Sequence, residues 1–421
     1  MGTALLRQKA EARRAAVVDL LRDAVHTPSM SAGEEAMVAR LRAEMEEAGF
    51  DEVVVDDFGS VIGRIGDGPV PIVYDSHVDT VAVGAREEWP RDPFEPYLEG
   101  GLEGGVVHGR GASDDKAGIC SMIHGAALYR ELGPSPDVTL YVVGSVQEED
   151  CDGLALEHVL TESLPRPDLV VLGEATRGGV YRGNRGRIEV LVRTRGSSCH
   201  ASAPERGHNP VYDLAPIVAD VQGLNGRLGH DDFLGAGSVA LTRIECETPS
   251  LNAVPATATL YLDRRLTLGE APEAALAEIA ALPSVQAVGG QVELLTYERT
   301  SFTGLVLGTD KAYPTWVTPA DHVGVRAGLA AGEVALGRRP ETGHWVFSTN
   351  GVASMGKLGI PTIGFGPGDE VHAHTAHDRC PTDDLVEAVA WYAAFPGVYA
   401  KMAGAGAGGA GAGGAGNRVQ F

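Results

Sequence analysis

Cysteine, aromatic residues and positive charge are all scarce in this 421-residue chain, and each scarcity excludes a class of protein. The five cysteines are scattered without any Cys-x-x-Cys spacing, which excludes a disulfide framework and a sulfur-ligated metal cluster and indicates a reducing compartment. Only 34 basic residues stand against 57 acidic ones, giving a net charge of -23. Such a charge disfavours nucleic acid and anionic membranes as partners.

Long apolar segments are missing as well. No apolar run reaches the length that crosses a bilayer. The first residues, MGTALLRQKAEARRAAVVDLL, carry charges throughout and lack the apolar centre of a secretory signal. We therefore expect a cytoplasmic protein with no membrane partner. Its length exceeds the usual limit of a single hydrophobic core, which predicts at least two domains.

The hydrophobic pattern predicts an α/β fold with a mainly parallel sheet. Helical spacing covers residues 4–25 and 33–48. Short apolar strands then alternate with helices, as in a parallel sheet covered on both faces; the strands are DEVVVDD, PIVYDSH, VTLYVVGSV and PDLVVLGE. From about residue 185 the strands alternate polar and apolar residues, and their order with two helices predicts an inserted ferredoxin-like α+β domain.

These patterns predict the domain organisation. The larger domain comprises residues 1–184 and 303–402, with the insertion at 185–302. The segment QVELLTYERT is predicted as one strand, and a final helix is predicted over 383–395. Residues 403–421 are rich in Gly and Ala and are predicted to be a flexible tail.

Residues that carry chemistry follow several predicted strands. His77 and Asp79 close the strand PIVYD, Glu148 and Glu149 follow VTLYVVGSV, and Glu174 follows PDLVVL. In open parallel sheets, ligands bind at the edge where the strands end. Adjacent carboxylates raise each other's proton affinity, and a metal ion relieves that conflict. One carboxylate can then be a ligand while its neighbour accepts a proton from water.

Two further motifs point to the same chemistry. GRGASDDK contains Asp114 and leads into a helix, and VHAHTAHD carries three histidines in six positions, His372, His374 and His377. With nitrogen and oxygen donors alone, zinc, cobalt or manganese is favoured over a structural zinc cluster. Taken singly, Asp114 is equally well explained as a helix N-cap, whereas for residues 147–150 an acidic surface loop is the less favoured explanation.

In order and spacing these motifs resemble the M20 metallopeptidases, which include carboxypeptidases, dipeptidases, aminoacylases, acetylornithine deacetylases and succinyl-diaminopimelate desuccinylases. Within that family the chain is most similar to a branch of hydrolases linked to selenium metabolism, through the phrases GRGASDDKAG, RGNRGRIEV, GSSCHASAPERG, DRRLTLGE and FSTNGVASMGKLGIPTIGFGPG. The resemblance implies a zinc-peptidase catalytic domain. It also implies that the insertion is a lid and dimerisation domain, and therefore a homodimer.

The resemblance also assigns residues. It implies two divalent cations, zinc first and cobalt or manganese as alternatives, with these ligands: His77 and Glu174 on one ion, Glu149 and His374 on the other, and Asp114 bridging both. The bond from Asp114 to Asp115 is expected to be cis. The remaining assignments are Glu148 as general base, Asp79 orienting His77, His200 reaching the partner's site, and Asn252 and Arg265 contacting substrate. Asp378 stands where the family often has glutamate, which we interpret as a change outside the ligand set.

The implied function is hydrolysis of an amide bond in a small N-acyl amino acid or peptide. Two alternatives stay open: hydrolysis of a carbamoyl or cyclic amide by the same site, and a non-catalytic metal-binding homologue. The presence of Glu148 disfavours the second alternative. A dinucleotide enzyme is excluded because GRGAS and GFGPG lack the Gly-x-Gly-x-x-Gly arrangement between a strand and a helix.

Overall fold

The structure, a computed structural model, describes residues 3–409. Its α-helices in chain order are α1 (Thr3–Glu11), α2 (Arg14–His26), α3 (Glu35–Glu47), α4 (Lys116–Glu131), α5 (Leu154–His158), α6 (Pro210–Leu224), α7 (Pro272–Ala280), α8 (Pro283–Val288), α9 (Val323–Leu336) and α10 (Thr382–Gly409).

The strands fall into one large sheet, one smaller sheet and three minor sheets of two or three strands, β10-β11, β15-β16 and β21-β5-β4. In chain order they are β1 (Glu52–Val55), β2 (Val61–Ile65), β3 (Val70–His77), β4 (Tyr97–Glu99), β5 (Val106–His108), β6 (Val138–Ser145), β7 (Leu169–Leu172), β8 (Val180–Asn184), β9 (Gly186–Arg195), β10 (His230–Asp231), β11 (Gly235–Ala236), β12 (Ser238–Glu247), β13 (Thr257–Leu266), β14 (Gln291–Leu294), β15 (Thr296–Thr300), β16 (Val306–Asp310), β17 (Ala312–Tyr313), β18 (Trp316–Val317), β19 (Thr342–Trp345), β20 (Thr362–Gly364) and β21 (Arg379–Pro381).

The large sheet has the order β1-β2-β6-β3-β7-β20-β8-β18, with β19 also pairing to β8. Its centre, β6-β3-β7-β20, is parallel. The flanking pairs β1–β2, β2–β6 and β8–β18 are antiparallel. The predicted α/β class with a mainly parallel sheet is confirmed, and its parallel part is the central one. The β7 strand is buried at every position, as its continuous apolar run indicates.

The smaller sheet is antiparallel, with the order β12-β13-β9-β14 and β17 paired to β9. Together with α6 and α7 its strands follow the predicted β-α-β-β-α-β order. One face packs on the helices through alternate residues such as Ile188, Val190 and Val192, which belong to a hydrophobic core separate from that of the large sheet. The residues between them in β9 therefore point to the helix-free face.

Three elements differ from the predicted ones. Residues 4–25 form two helices, because the N–H of Arg13 bonds to the carbonyl of Ala10 and tightens the turn between α1 and α2. The segment QVELLTYERT divides into β14 and β15, because the chain passes from pairing with β9 to pairing with β16. The α10 helix continues to Gly409, so the first residues of the predicted tail are helical, and the rest of that tail lies outside the described residues.

The end of the insertion is less sharp than its beginning. The predicted start at residue 185 falls between β8 and β9. The hairpin β15–β16 spans residue 302, the predicted end, and the hydroxyl of Tyr297 in β15 donates to Gln147 Oε1 of the larger domain at 2.6 Å. The boundary at 302 stays a prediction. Within residues 3–409, no helix is long and apolar enough to cross a membrane.

Candidate metal centre

The metal-ligand candidates meet at the carboxyl edge of the large sheet. The strands β6, β3 and β7 are neighbours, and their ends deliver Glu148 and Glu149, His77, and Glu174 respectively. Asp114 arrives from the turn that precedes α4. Because parallel strands end at one edge, side chains far apart in sequence lie within a few ångströms of one another here.

One group of ligands surrounds His77. Its Nε2 lies 3.0 Å from Asp114 Oδ1 and 3.7 Å from Glu174 Oε1. Its Nδ1 lies 3.0 Å from the backbone oxygen of Asp79, which can only accept a hydrogen bond. The proton therefore belongs on Nδ1, and Nε2 is left as a ligand atom.

A second group surrounds His374. Its Nε2 lies 2.8 Å from Glu149 Oε2 and 3.2 Å from Asp114 Oδ2. The two oxygens of Asp114 thus face two different histidines, His77 and His374. The flanking His372 is turned away and accepts from Arg379 Nε at 3.3 Å. His374 therefore lies where the sequence analysis expected the ligand among the three clustered histidines.

The donor atoms suit divalent cations. Tetrahedral zinc holds nitrogen and oxygen ligands at about 2.0–2.2 Å, which places the ligand atoms roughly 3.3–3.5 Å from each other. The separations in the two groups, from 2.8 Å to 3.7 Å, bracket that value. Ligand atoms of His77, Asp114 and Glu149 also lie within 4.8 Å of one another. These residues fit a pair of cations that share Asp114.

The electrostatics point the same way. Burial raises the pKa of Glu148 and of Glu174, and neighbouring carboxylates raise both further, against the opposing effect of His77. The carboxylates of Asp114 and Glu149 raise the pKa of His374 to about 10. Acids crowded and buried in this way favour protonation, unless cations neutralise them.

Asp115 is a residue that the sequence analysis did not include among the ligands. The bond between Asp114 and Asp115 is cis, as the resemblance implied. Asp115 Oδ2 accepts from Ser76 Oγ at 2.6 Å, whereas Oδ1 is buried with no hydrogen-bond partner in residues 3–409. Ligand atoms of His77, Asp115 and Glu174 lie within 4.8 Å of one another, which makes Asp115 a further candidate ligand.

Asp79 holds both His77 and the acidic pair in place. Its carboxylate accepts the backbone N–H of Glu148 and of Glu149, each at 3.1 Å, and the hydroxyl of Ser31 at 2.7 Å. The Asp79 carboxylate also approaches His77 Nδ1 at 3.4 Å. Asp79, which was predicted to orient His77, therefore also connects the end of β3 with the end of β6.

Asp378 performs a similar task for the Asp114 turn. It is buried, and its carboxylate accepts from Arg110 Nη1 at 3.1 Å and from the backbone N–H groups of Gly111 and Ser113 at 2.7 and 2.8 Å. Because Asp378 also lies close in sequence to His374, it ties two ligand-bearing loops together. Asp378, at the position where the family often has glutamate, thus holds the loop that precedes Asp114 and belongs to neither ligand group.

Four of the five candidate ligands line a cavity of about 270 Å³, which suits a small molecule: Asp114, Glu149, Glu174 and His374. Of the predicted substrate contacts, Arg265 lines it. His200 and Asn252 lie instead in exposed loops at one end of the smaller sheet, where the N–H of Ala201 donates to the carbonyl of Asn252 at 2.8 Å. Further lining residues that the sequence analysis missed are Asp152, Arg187, Phe347, Ser348, Glu370 and Ala373.

The chain is similar to proteins of one family. The model of peptidase family M20/M25/M40 matches residues 73–396. The uncharacterized protein YgeY of Escherichia coli (strain K12) is 44% identical over 393 residues, which cover 93% of this chain and 96% of that protein. Succinyl-diaminopimelate desuccinylase of Stenotrophomonas maltophilia (strain K279a) is 29% identical over 250 residues, covering 57% of this chain and 65% of that enzyme.

The fold is also found among solved structures. YXEP of Bacillus subtilis, a dinuclear metal-binding peptidase from the M20 family, superposes with a TM-score of 0.67 at 16% identity, covering 93% of this chain and 99% of that one. At that identity the likeness concerns the fold. The narrower resemblance to the branch linked to selenium metabolism stays a prediction.

Proposed function

Since the chain belongs to peptidase family M20/M25/M40, a family of metal-dependent hydrolases of amide bonds, we propose that it cleaves an amide bond in a small N-acyl amino acid or peptide using two divalent cations. The observation that carries this proposal is the position of Asp114, whose two carboxylate oxygens face His77 and His374 separately. One cation is assigned to His77, Asp114 and Glu174, the other to Asp114, Glu149 and His374. Zinc is the first candidate, with cobalt or manganese as alternatives.

Glu148 is the proposed general base. It lines the cavity, it is buried, and it stands beside the ligand Glu149 without belonging to either ligand group. Divalent cations held by these residues would supply Lewis acidity and lower the pKa of a water toward neutrality. Glu148 takes the proton from that water and later delivers it to the departing amine. The carboxylate of Asp79 keeps Glu148 in place by accepting the backbone N–H of Glu148.

We further propose that the active protein is a homodimer and that His200 serves the partner's site. His200 does not line the cavity of its own chain, and its Nδ1 accepts the N–H of Ser202 at 3.1 Å. The edge strand β12 and the loop that follows it also expose apolar side chains, with Ile244 in the strand 54% and Leu251 in the loop 99% exposed. An exposed edge strand and exposed apolar residues support an isologous interface.

A mixing experiment tests the role of His200. The proposed role of His200 is to stabilise the tetrahedral oxyanion in the partner's site, so we expect His200→Ala to lower turnover by about 10²–10³-fold, the effect of losing one oxyanion donor. Coexpression of His200→Ala with Glu148→Gln is expected to restore activity in roughly one quarter of the sites, since a mixed dimer then contains one intact site. If the mixed dimers are as inactive as the two parents, His200 does not act in the partner's site.

Metal removal tests the reaction itself. The substrates are N-acetyl and N-succinyl amino acids and dipeptides, with N-carbamoyl amino acids and hydantoins to represent the alternative chemistry. We expect a chelator to abolish turnover, and zinc, cobalt or manganese to restore it, because the water is not activated without a cation. Turnover that survives complete metal removal would contradict the proposal, and turnover confined to carbamoyl or cyclic amides would favour the alternative.

The location is proposed to be cytoplasmic. All five cysteines are free, three of them buried: Cys120, Cys151 and Cys380. Free thiols fit a reducing compartment.

A further inference from the structure

Two arginines stand side by side on the wall of the cavity. Arg187 in β9 and Arg265 in β13 are direct cross-strand partners, and both line the cavity from the helix-free face of the smaller sheet. Side chains opposed in this way have their Cβ atoms about 4.5–5.5 Å apart, and like charges in such a pair are destabilising. A cost of this kind at the edge of a cavity points to a role in binding.

The guanidinium of Arg265 is already occupied along one edge. Its Nε and Nη2 donate to the two oxygens of Asp263 at 2.7 and 3.0 Å. This is the two-bond arrangement that arginine uses for a carboxylate ligand. Asp263 therefore fills the edge with which Arg265 was expected to bind a substrate carboxylate.

The guanidinium of Arg187 is less exposed than that of Arg265, with 16% against 24% of the side chain accessible, but it is less fully hydrogen-bonded. Its Nη2 donates to Asp152 Oδ1 at 2.9 Å, and Glu189 Oε1 lies 3.5 Å from the same nitrogen. Its Nε is buried without a hydrogen-bond partner in the described part of the chain. The guanidinium carbon lies 4.8 Å from the ring centroid of Tyr313, which orients its plane. Arg187 thus makes one side-chain hydrogen bond where Arg265 makes two.

The rest of the cavity lining is acidic. Six carboxylates surround the space, from Asp114, Glu148, Glu149, Asp152, Glu174 and Glu370, and the two arginines are its only lysine or arginine side chains in residues 3–409. Once cations neutralise the ligand groups, an anionic part of a substrate can gain charge-assisted hydrogen bonds only on the arginine side. The contrast in charge between the two arginines and the carboxylates that line the same cavity would orient the substrate.

We propose that Arg187, rather than Arg265 alone, is the residue that selects a carboxylate on the substrate, with Asp152 and Ser348 as positioning residues. This inference rests on the proposed amide hydrolysis and names the residue that decides which amides are accepted. Asp152 has both oxygens engaged, one by Arg187 and the other by the hydroxyl of Ser348. It comes from the loop that carries Glu148, so it aligns Arg187 with the base.

The test compares carboxylate and carboxamide forms of the same compounds on zinc-loaded protein. The pairs are N-acetylleucine with N-acetylleucinamide, and N-succinylglycinamide with N-succinamylglycinamide. For each variant, kcat/KM and the Kd from calorimetry are measured. We expect Arg187→Met to weaken the carboxylate form by about 10–100-fold more than the carboxamide form, since charge-assisted hydrogen bonds are lost. Arg265→Met is expected to cost less than Arg187→Met.

Three further variants separate recognition from a merely structural role. Arg193→Met removes an arginine from the same face of β9 that pairs with Glu293 and does not line the cavity, so the carboxylate preference is expected to persist. Asp152→Asn leaves the Arg187 guanidinium in place, and some carboxylate preference is expected to remain. Arg187→Lys is expected to recover part of that preference.

The inference is overturned if Arg187→Met keeps the wild-type preference for carboxylate, or if Arg265→Met loses more of it. Absence of turnover on every amide by the wild type would count against the proposed function alone. In that case the Kd values of the same pairs still decide the inference. A carboxylate preference in binding that Arg187→Met removes would uphold it, and equal binding of both forms by the wild type would reject it.

Discussion

Glu148→Gln is expected to lower turnover of the amide by about 10²–10⁴-fold while both cations remain bound. The amide side chain keeps the shape of the glutamate but cannot accept the proton from water. Glu148 is buried at the end of β6 and belongs to neither ligand group, so its loss leaves the ligands in place. Steady-state kinetics on the N-acyl amino acids and dipeptides measures turnover, and mass spectrometry measures the number of zinc ions bound.

Asp150→Asn is the matched control for this variant. Asp150 lies on the same loop, but its side chain is 40% exposed and pairs with Arg299 on the surface. Its removal is expected to change turnover by no more than about twofold, since exposed ion pairs contribute little. If Glu148→Gln retains wild-type turnover with its full zinc content, another group is the base and the assignment is wrong.

Asp114→Asn is expected to weaken the binding of both cations by at least about 100-fold. Mutation of a residue that only hydrogen-bonds to a metal ligand already lowers metal affinity by about 10–100-fold. Asp114 is assigned to both ions directly, so its loss is expected to cost at least as much. The loss is expected to abolish turnover and the rise in Tm that zinc produces in the wild type. Competition with a chromophoric chelator gives the two affinities.

Glu370→Gln serves as the control for a lost carboxylate in the same cavity. Glu370 lines the cavity but takes part in neither ligand group, so the zinc affinities are expected to change less than about threefold. Loss of one cation in Asp114→Asn, with the other bound as in the wild type, would show that Asp114 does not bridge the pair.

The strand ends explain why much of this site could be predicted from the sequence. The position of a candidate ligand can be predicted when it directly follows an apolar strand, as His77, Glu149 and Glu174 do. Parallel strands end at a common edge of the sheet, so these side chains are expected there. Asp114 and His374 lie on turns and gave a local signal of glycines or clustered histidines. Their convergence came from the family resemblance and not from periodicity.

The cavity wall could not be predicted in the same way. The role proposed for Arg187 depends on its register with Arg265 and on the ion pair with Asp152, and both join segments far apart in the chain. Alternation within β9 places Arg187 on a polar face but does not say that this face meets the cavity. Likewise, the pairing of Arg265 with Asp263 two residues away does not follow from the motif.

In the fold, too, features set by the local sequence could be predicted, and features set by distant partners could not. Elements with a strong local pattern, such as α3 and β3, begin and end within two residues of the predicted helix 33–48 and the predicted strand PIVYDSH. The predicted strand 291–300 divided because two different partners take its halves, and no local pattern shows a change of partner. The predicted helix over 4–25 failed at a turn that no glycine or proline marks.

The most direct test of the two-cation site is a crystal structure of the zinc-loaded protein with anomalous scattering recorded at the zinc edge. The account predicts two peaks per chain, one among His77, Glu174 and Asp114, the other among Glu149, His374 and Asp114, with Glu148 bound to neither. A single peak, or two peaks that do not share Asp114, would contradict it. Ligation by Asp115 in place of Asp114 would contradict the assignment of the bridging residue in particular.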